Sequence, residues 1–187
     1  MRKVILVMSM SIDGVVAAPN DVQGLSPVRE DPELKALKLD WLSQAGCHIM
    51  GRSTYLAMAS HWPNSDDPYA EPMNALPKVV FSRTLTDAPW ETSRIAGGDL
   101  PEEIAGLKRE PGGDIIAWGG AAFAHALLAA NLIDEYRLVV HPVLVGDGLS
   151  IFGRFPGPID LRLSRVQTFD TGSVVQVYDQ PHPRDAA

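Results

Sequence analysis

Ile49-Met50-Gly51-Arg52-Ser53-Thr54-Tyr55 passes from an apolar run to a glycine, a guanidinium and two hydroxyls with no linker between them. Taken with Cys47 and His48 before it, the run predicts a short buried strand, Cys47 to Met50. The strand leads straight into a helix that begins near Ser53, whose hydroxyl serves as N-cap. A strand that turns directly into a helix is the repeating join of a layered α/β protein. The join recurs on both sides of this stretch. Toward the N-terminus, Lys3 to Ser9 is a continuous apolar strand, as expected where helices cover both faces of a sheet, and it stops at Ser11-Ile12-Asp13-Gly14. Asp31 to Gly46 then carries Leu34, Leu37, Trp41, Leu42 and Ala45 at helical spacing, with Pro32 in the first turn and Gly46 as the stop.

Toward the C-terminus, residues 60–77 are rich in Pro, Asp and Asn and read as a long loop able to cover a site. Lys78 to Ser82 is another strand, Trp90 to Ile95 a weaker one, and Asp99 caps a helix that ends near Glu110. Asp114 to Trp118 is a strand, Gly119-Gly120 a tight turn, Ala121 to Ala130 a helix and Tyr136 to His141 a strand. Leu161 to Phe169 and Ser173 to Tyr178 alternate around Asp170-Thr171-Gly172 and predict a β-hairpin. The expected fold is therefore a three-layer α/β/α domain over residues 1–180, with a mainly parallel mixed sheet, a C-terminal antiparallel hairpin and a flexible tail at 181–187.

The bulk composition narrows the function. A chain of 187 residues with a formal charge of -7 offers no global field for nucleic acid or an anionic membrane, so any anion site must be built locally. Arg2-Lys3 before Val4 to Met8 has the outline of a signal peptide, but the run is short, β-branched and stopped by Asp13-Gly14, which describes a first strand. No segment approaches the ~20 apolar residues of a membrane span. Cys47 is the only cysteine and the five histidines show no ligand spacing, so neither a disulfide nor a zinc site is expected and the cytoplasm is the expected location.

The chemistry lies in four polar segments that each follow a predicted strand: residues 11–14, Gly51-Arg52-Ser53-Thr54, Ser82-Arg83-Thr84 and Gly119-Gly120-Ala121-Ala122. Parallel strands end at one rim, where open α/β sheets bind ligands and helix N-termini offer unpaired N–H groups to phosphate. Each segment alone also reads as an ordinary turn or cap. Together they predict a phosphate-bearing ligand, with Ser82 and Arg83 supplying a second hydroxyl and guanidinium for the extra phosphate of NADP. The full GxGxxG fingerprint is missing at Gly119-Gly120, which disfavours an ordinary dinucleotide-binding dehydrogenase.

In order and spacing, these segments resemble the dihydrofolate reductase-like superfamily, in particular the reductase domain of bifunctional riboflavin-biosynthesis deaminase-reductases. Leu132-Ile133-Asp134-Glu135-Tyr136 and Pro142-Val143-Leu144-Val145-Gly146-Asp147-Gly148 extend the likeness. The resemblance implies NADPH as hydride donor, with Arg52 and Thr54 on the cofactor phosphates. It places Ser82, Arg83 and Thr84 at the 2'-phosphate side and Gly119 to Ala122 at the pyrophosphate and nicotinamide, with Gly51, Ser53 and Ala17 also on the cofactor side. Asp13 and Gly14 would lie between cofactor and substrate, with Asp13 as acid candidate and Asp40 of the first helix as a second, while Trp62 would either wall the substrate pocket or pin the long loop. A homodimer through the C-terminal hairpin is implied as well. Val15 stands where riboflavin-type reductases carry a lysine, and the deaminase domain is absent. Three functions stay open: reduction of a small planar substrate, the riboflavin-pathway reduction itself, and nucleotide sensing without turnover.

Overall fold

A computed structural model describes residues 1–17, 31–152 and 157–181; most of the predicted tail, 182–187, lies outside them. Its centre is β1 (Val4–Ser11), paired in parallel on one side with β6 (Asp114–Trp118) and on the other with β7 (Glu135–His141). The stretch with the outline of a leader peptide is thus the middle strand, and its apolar run is explained by burial on both faces. Outward from β6 come β3 (Ala45–Gly51), β4 (Lys78–Phe81) and β5 (Ser93–Ile95), all parallel. Beyond β7 lie β10 (Val174–Asp179) and the edge strand β9 (Arg162–Thr168), both antiparallel to their neighbours. The sheet order is β5-β4-β3-β6-β1-β7-β10-β9.

Two helical layers follow from the alternation of strand side chains. Ile5, Val7, Met50, Val80 and Ile116 point to a core covered by α1 (Pro32–Ser43), α2 (Arg52–His61) and α3 (Ala70–Ala75), through Leu34, Trp41, Tyr55 and Met73. Leu6, Met8, Ile49, Ile115 and Ala117 point the other way, to α4 (Leu100–Arg109) and α5 (Ala121–Ala129), which bury Ile104, Leu107, Phe123 and Leu127. Each such apolar side chain contributes roughly 1.5–3 kcal/mol on leaving water, so the two cores fix the layer order.

Several local expectations are corrected. Gly46 is not a helix stop: the helix ends at Ser43, and Gly46 lies in β3, where a Cβ would sit 2.5 Å from the Gly113 carbonyl oxygen. Its missing side chain serves strand packing. Ser53 is not an N-cap, because Gly51 holds that position and no side chain caps α2. Residues 60–77 are not structureless, since a 3-10 turn spans Trp62–Asn64 and α3 spans Ala70–Ala75. A two-stranded ribbon of β2 (Val15–Ala17) and β8 (Leu149–Ser150) was not anticipated; three and two residues carry too little periodicity to be read.

Lys78 explains how so polar a segment becomes ordered. Its fully buried ammonium donates to the carbonyls of Asn74 and Leu76 and to Thr92 Oγ1, each at 2.8 Å, and to the Glu91 carbonyl at 3.1 Å, while lying 4.5 Å from the Trp90 ring centroid. One cation thereby ties the end of α3 to the loop before β5. Lys78→Met would leave three carbonyls to share the single hydroxyl proton of Thr92. We expect it to lower unfolding stability by about 3 kcal/mol in urea titrations, and a loss below about 0.5 kcal/mol would refute the role.

At the opposite rim from the polar segments, Arg2 performs a similar task. Its Nε donates to the Gly113 carbonyl at 2.6 Å and its Nη1 to the Leu107 carbonyl at 3.3 Å, which closes the C-terminal end of α4.

Candidate functional site

The C-terminal rim of β3, β4 and β6 opens into a crevice of about 680 Å3 on the α4–α5 side of the sheet. Nine of the predicted cofactor residues line it: Gly51, Arg52, Ser53, Thr54, Ser82, Arg83, Gly120, Ala121 and Ala122. They arrive from three separate strand ends because the strands are parallel and therefore finish together.

Three helices start on this crevice, α2 at Arg52, α4 at Leu100 and α5 at Ala121, and none has a side-chain N-cap. By contrast α1, which takes no part in the lining, is capped by the Asp31 carboxylate on the N–H groups of Glu33 and Leu34. The first-turn N–H groups of α2 and α5 thus meet the crevice without a side-chain acceptor, a setting that favours anions, whereas α4 starts with Asp99, Pro101, Glu102 and Glu103 and adds negative charge instead. Arg52 and Arg83 are exposed at its mouth, and neither pairs with a carboxylate among the described residues. Phe81 and Phe123 supply an apolar wall, stacked with centroids 5.3 Å apart.

The glycines of the site answer to packing as well as to any ligand. A Cβ at Gly51 would meet Phe123 Cβ at 3.1 Å, and one at Gly120 would meet Thr54 Oγ1 at 2.9 Å, so the starts of α2 and α5 approach each other only because position 120 has no side chain. At Gly119 a Cβ would fall 1.7 Å from Met8 Cε, and this residue does not line the crevice. Ser82 Oγ accepts from the N–H groups of Thr84 (3.2 Å) and Leu85 (2.9 Å), which sets the turn that presents Arg83. Thr84 itself lies off the lining. Ala17 does too, although its strand partner Leu149 contributes to the wall.

Sequence reasoning missed Gly98, Asp99 and Leu100 as lining residues. The signal was present: Gly97-Gly98-Asp99 follows β5 and precedes α4, the same strand-to-helix join as the others. Glu103 shapes it by accepting from the N–H groups of Gly97 and Gly98 at 3.0 and 3.2 Å, while Arg94 holds Glu103 at 2.8 Å.

The residues expected at the substrate do not line this crevice. Asp13 accepts from the N–H of Gly146 at 2.7 Å and of Val145 at 3.2 Å, which clamps the end of β1 to the loop after β7. Hydrogen bonding by Ser11 first, then by Gly146 and Val145, lowers its pKa to about 2. Both of its carboxylate oxygens accept from this loop. Gly14 has a φ of +77°, the conformation that favours glycine, and faces Ser150 Oγ and Phe152 rather than the crevice. Asp40 is exposed on α1 and accepts from Gln44 Nε2 at 2.9 Å. Trp62 is half-buried against Tyr69, with centroids 6.2 Å apart, and pins the segment after α2. Among the described residues no helix is long and apolar enough to cross a membrane.

Comparison with known proteins agrees with this architecture. YyaP of Bacillus subtilis strain 168 is 30% identical over 182 residues, covering 95% of this chain and 94% of that protein. A solved structure from Shewanella sp. PV-4 superposes with a TM-score of 0.75 at 22% identity, over 96% of this chain and 99% of that one. The diaminohydroxyphosphoribosylaminopyrimidine deaminase/5-amino-6-(5-phosphoribosylamino)uracil reductase of Thermotoga maritima matches with a TM-score of 0.72 at 12% identity. That match covers 96% of this chain and 57% of that one. The family model described as the RibD C-terminal domain matches residues 2–175, and the chain belongs to that family.

Proposed function

We propose that the crevice binds NADPH and that the protein is a reductase acting on a C=N or C=O bond of a small planar substrate. The observation that carries the reading is the meeting of the α2 and α5 N-termini, neither with a side-chain cap, and two arginines without carboxylate partners among the described residues on one crevice. A dinucleotide phosphate brings the anionic groups such a site can pair, and the volume lies within the range of small-molecule sites. When bound, the cofactor supplies a hydride for the acceptor carbon and leaves as its oxidised form, while a proton reaches the acceptor heteroatom.

The chain's own residues position and shield. The first turns of α2 and α5, joined at Thr54 and Gly120, hold the pyrophosphate, and Arg83 pairs with the 2'-phosphate. Asp99 suits a ribose hydroxyl better than a phosphate, because a carboxylate accepts hydrogen bonds and repels anions. With Asp13 committed to Val145 and Gly146, the proton comes from water. Asp13→Asn is expected to slow turnover through misplacement of the loop after β7 while the alkaline limb of the pH–rate profile, where a required proton donor is lost, keeps its position; loss of that limb would restore Asp13 as donor.

Thermal unfolding with each nucleotide tests the reading. Saturating NADPH should raise Tm by about 5–10 °C and NADH by clearly less, and no rise with NADPH overturns it. Family membership favours a second reading, the riboflavin-pathway reduction, which rescue of a reductase-deficient strain would establish. The cytoplasm remains our proposed location. We also propose a homodimer through β9, an edge strand that leaves Leu163 and Val166 exposed, to be checked by sedimentation of Val166→Lys against the native chain.

A further inference from the structure

Among the described residues that line the crevice, Asp99 is the only carboxylate, and it is exposed there. Its backbone, with φ -66° and ψ 148°, has the shape of an N-cap, yet its side chain makes no cap hydrogen bond. Asp31, in similar extended backbone at the start of α1, does accept from the first-turn N–H groups. The difference lies in Glu103. Its carboxylate accepts from the N–H groups of Gly97 and Gly98 and from Arg94, so the turn before α4 is held from within the helix and does not call on Asp99. The Asp99 carboxylate is thereby left without a hydrogen-bond or ion-pair partner among the described residues, at a position where an aspartate ordinarily caps.

Strand register sets this open acceptor beside Arg83. β4 and β5 are parallel neighbours with Val80 opposite Ile95, and the Ala96 N–H donates to the Val80 carbonyl at 2.9 Å. Arg83 and Asp99 follow closely on these partners, and neighbouring strands lie ~4.8 Å apart. Both residues line the same crevice, and they do not pair with each other. A 2'-phosphate held by Arg83 therefore brings its ribose to the neighbouring strand end, within reach of Asp99. There a carboxylate acts oppositely on the two nucleotides: it accepts a hydrogen bond from a 2'-hydroxyl and repels a phosphate on the same carbon. We infer that Asp99 is a specificity-determining residue of the proposed reductase, opposing Arg83 so that the crevice holds NADH as well as NADPH. Arg83 decides which nucleotide binds more tightly, and Asp99 limits the margin. The inference rests on the reading of the crevice as a cofactor site.

Fluorescence titration of NADPH and NADH, with no acceptor present, tests it on the native chain and three variants. The native chain is expected to bind both, NADPH the more tightly. Asp99→Asn removes the charge and keeps an accepting oxygen, so NADPH should tighten roughly 3- to 10-fold while NADH stays within about threefold. Asp99→Ala removes charge and acceptor together, so NADPH should tighten by a similar factor while NADH weakens roughly 5- to 10-fold. The gain for NADPH should shrink below about twofold in about 1 M salt, because an exposed charge is screened. Glu102→Gln removes a charge from the same helix start that does not line the crevice, and should change NADPH binding less than about twofold. With no cap bond to lose, both Asp99 variants should unfold within about 3 °C of the native chain. Unchanged affinity for both nucleotides in Asp99→Asn and Asp99→Ala overturns the inference. A gain for NADPH in Glu102→Gln equal to that in Asp99→Asn overturns it too, as does a native chain that binds NADPH and no NADH. Failure of both nucleotides to bind the native chain overturns the cofactor reading, and the inference with it, so the two failures are distinguishable.

Discussion

Arg83→Ala is expected to weaken NADPH binding roughly 10- to 100-fold while NADH affinity changes less than about threefold. Arg83 is exposed at the mouth of the crevice with no carboxylate partner among the described residues, and the Ser82-centred turn presents it there. A guanidinium on a phosphate forms a charge-assisted, fork-shaped pair worth about 1.5–3 kcal/mol at a partly solvated site. Only NADPH carries the 2'-phosphate, so the loss should fall on one nucleotide. Fluorescence titration of both against the native and variant chains measures it directly. Arg83→Lys should recover only part of the loss, because an ammonium offers a point charge without the planar fork. Equal weakening of both nucleotides would place Arg83 on the shared pyrophosphate and remove the argument for NADP specificity.

The second large effect is on acid stability. Burial, with added repulsion from Lys78 at His48 and Lys38 at His141, lowers each histidine pKa to about 4 from an ordinary 6.5. The neutral imidazoles are used as such: His48 accepts from Trp118, and His141 Nδ1 lies 3.1 Å from Ser173 Oγ. Because the folded pKa is depressed, the unfolded chain takes up protons first as pH falls. Stability is then fully present above about pH 6.5 and is lost progressively down to about pH 4. Between pH 7 and pH 5 each histidine should cost about 2 kcal/mol, a large part of the stability of an ordinary domain. The carboxylates whose pKa values are lowered, Asp13, Asp31, Asp67 and Glu103, lose their contributions only at lower pH, so this window isolates the histidines. Urea unfolding at pH 7 and pH 5 should differ by roughly 4 kcal/mol, and by about half that in His141→Gln. A flat profile across the window would mean that both rings accept a proton in the folded state.

Much of the fold was legible because its signals are local. The continuous apolar run of β1, the helical spacing from Leu34 to Leu42 and the alternation of β9 and β10 each follow from burial geometry within a single element. The convergence of Gly51-Arg52-Ser53-Thr54, Ser82-Arg83 and Gly120-Ala121-Ala122 was legible for a related reason. Once the strands are parallel, every strand-to-helix join must fall on the same rim.

What stayed hidden depends on partners far away in sequence. The ordering of residues 60–77 rests on the ammonium of Lys78, and the role of Asp13 rests on N–H groups of a loop more than a hundred residues later. The hydrogen bond that His48 accepts comes from Trp118, 70 residues further along the chain. By itself the sequence determined the layered architecture and the rim on which the polar segments gather, since these follow from periodicity and chain direction. Only the tertiary structure decided which glycines are required by packing, which carboxylate is tied to backbone N–H groups and which buried imidazole accepts from an indole. Hydrogen bonds and close contacts between distant segments exist only once the sheet has brought them together, and no local pattern encodes them.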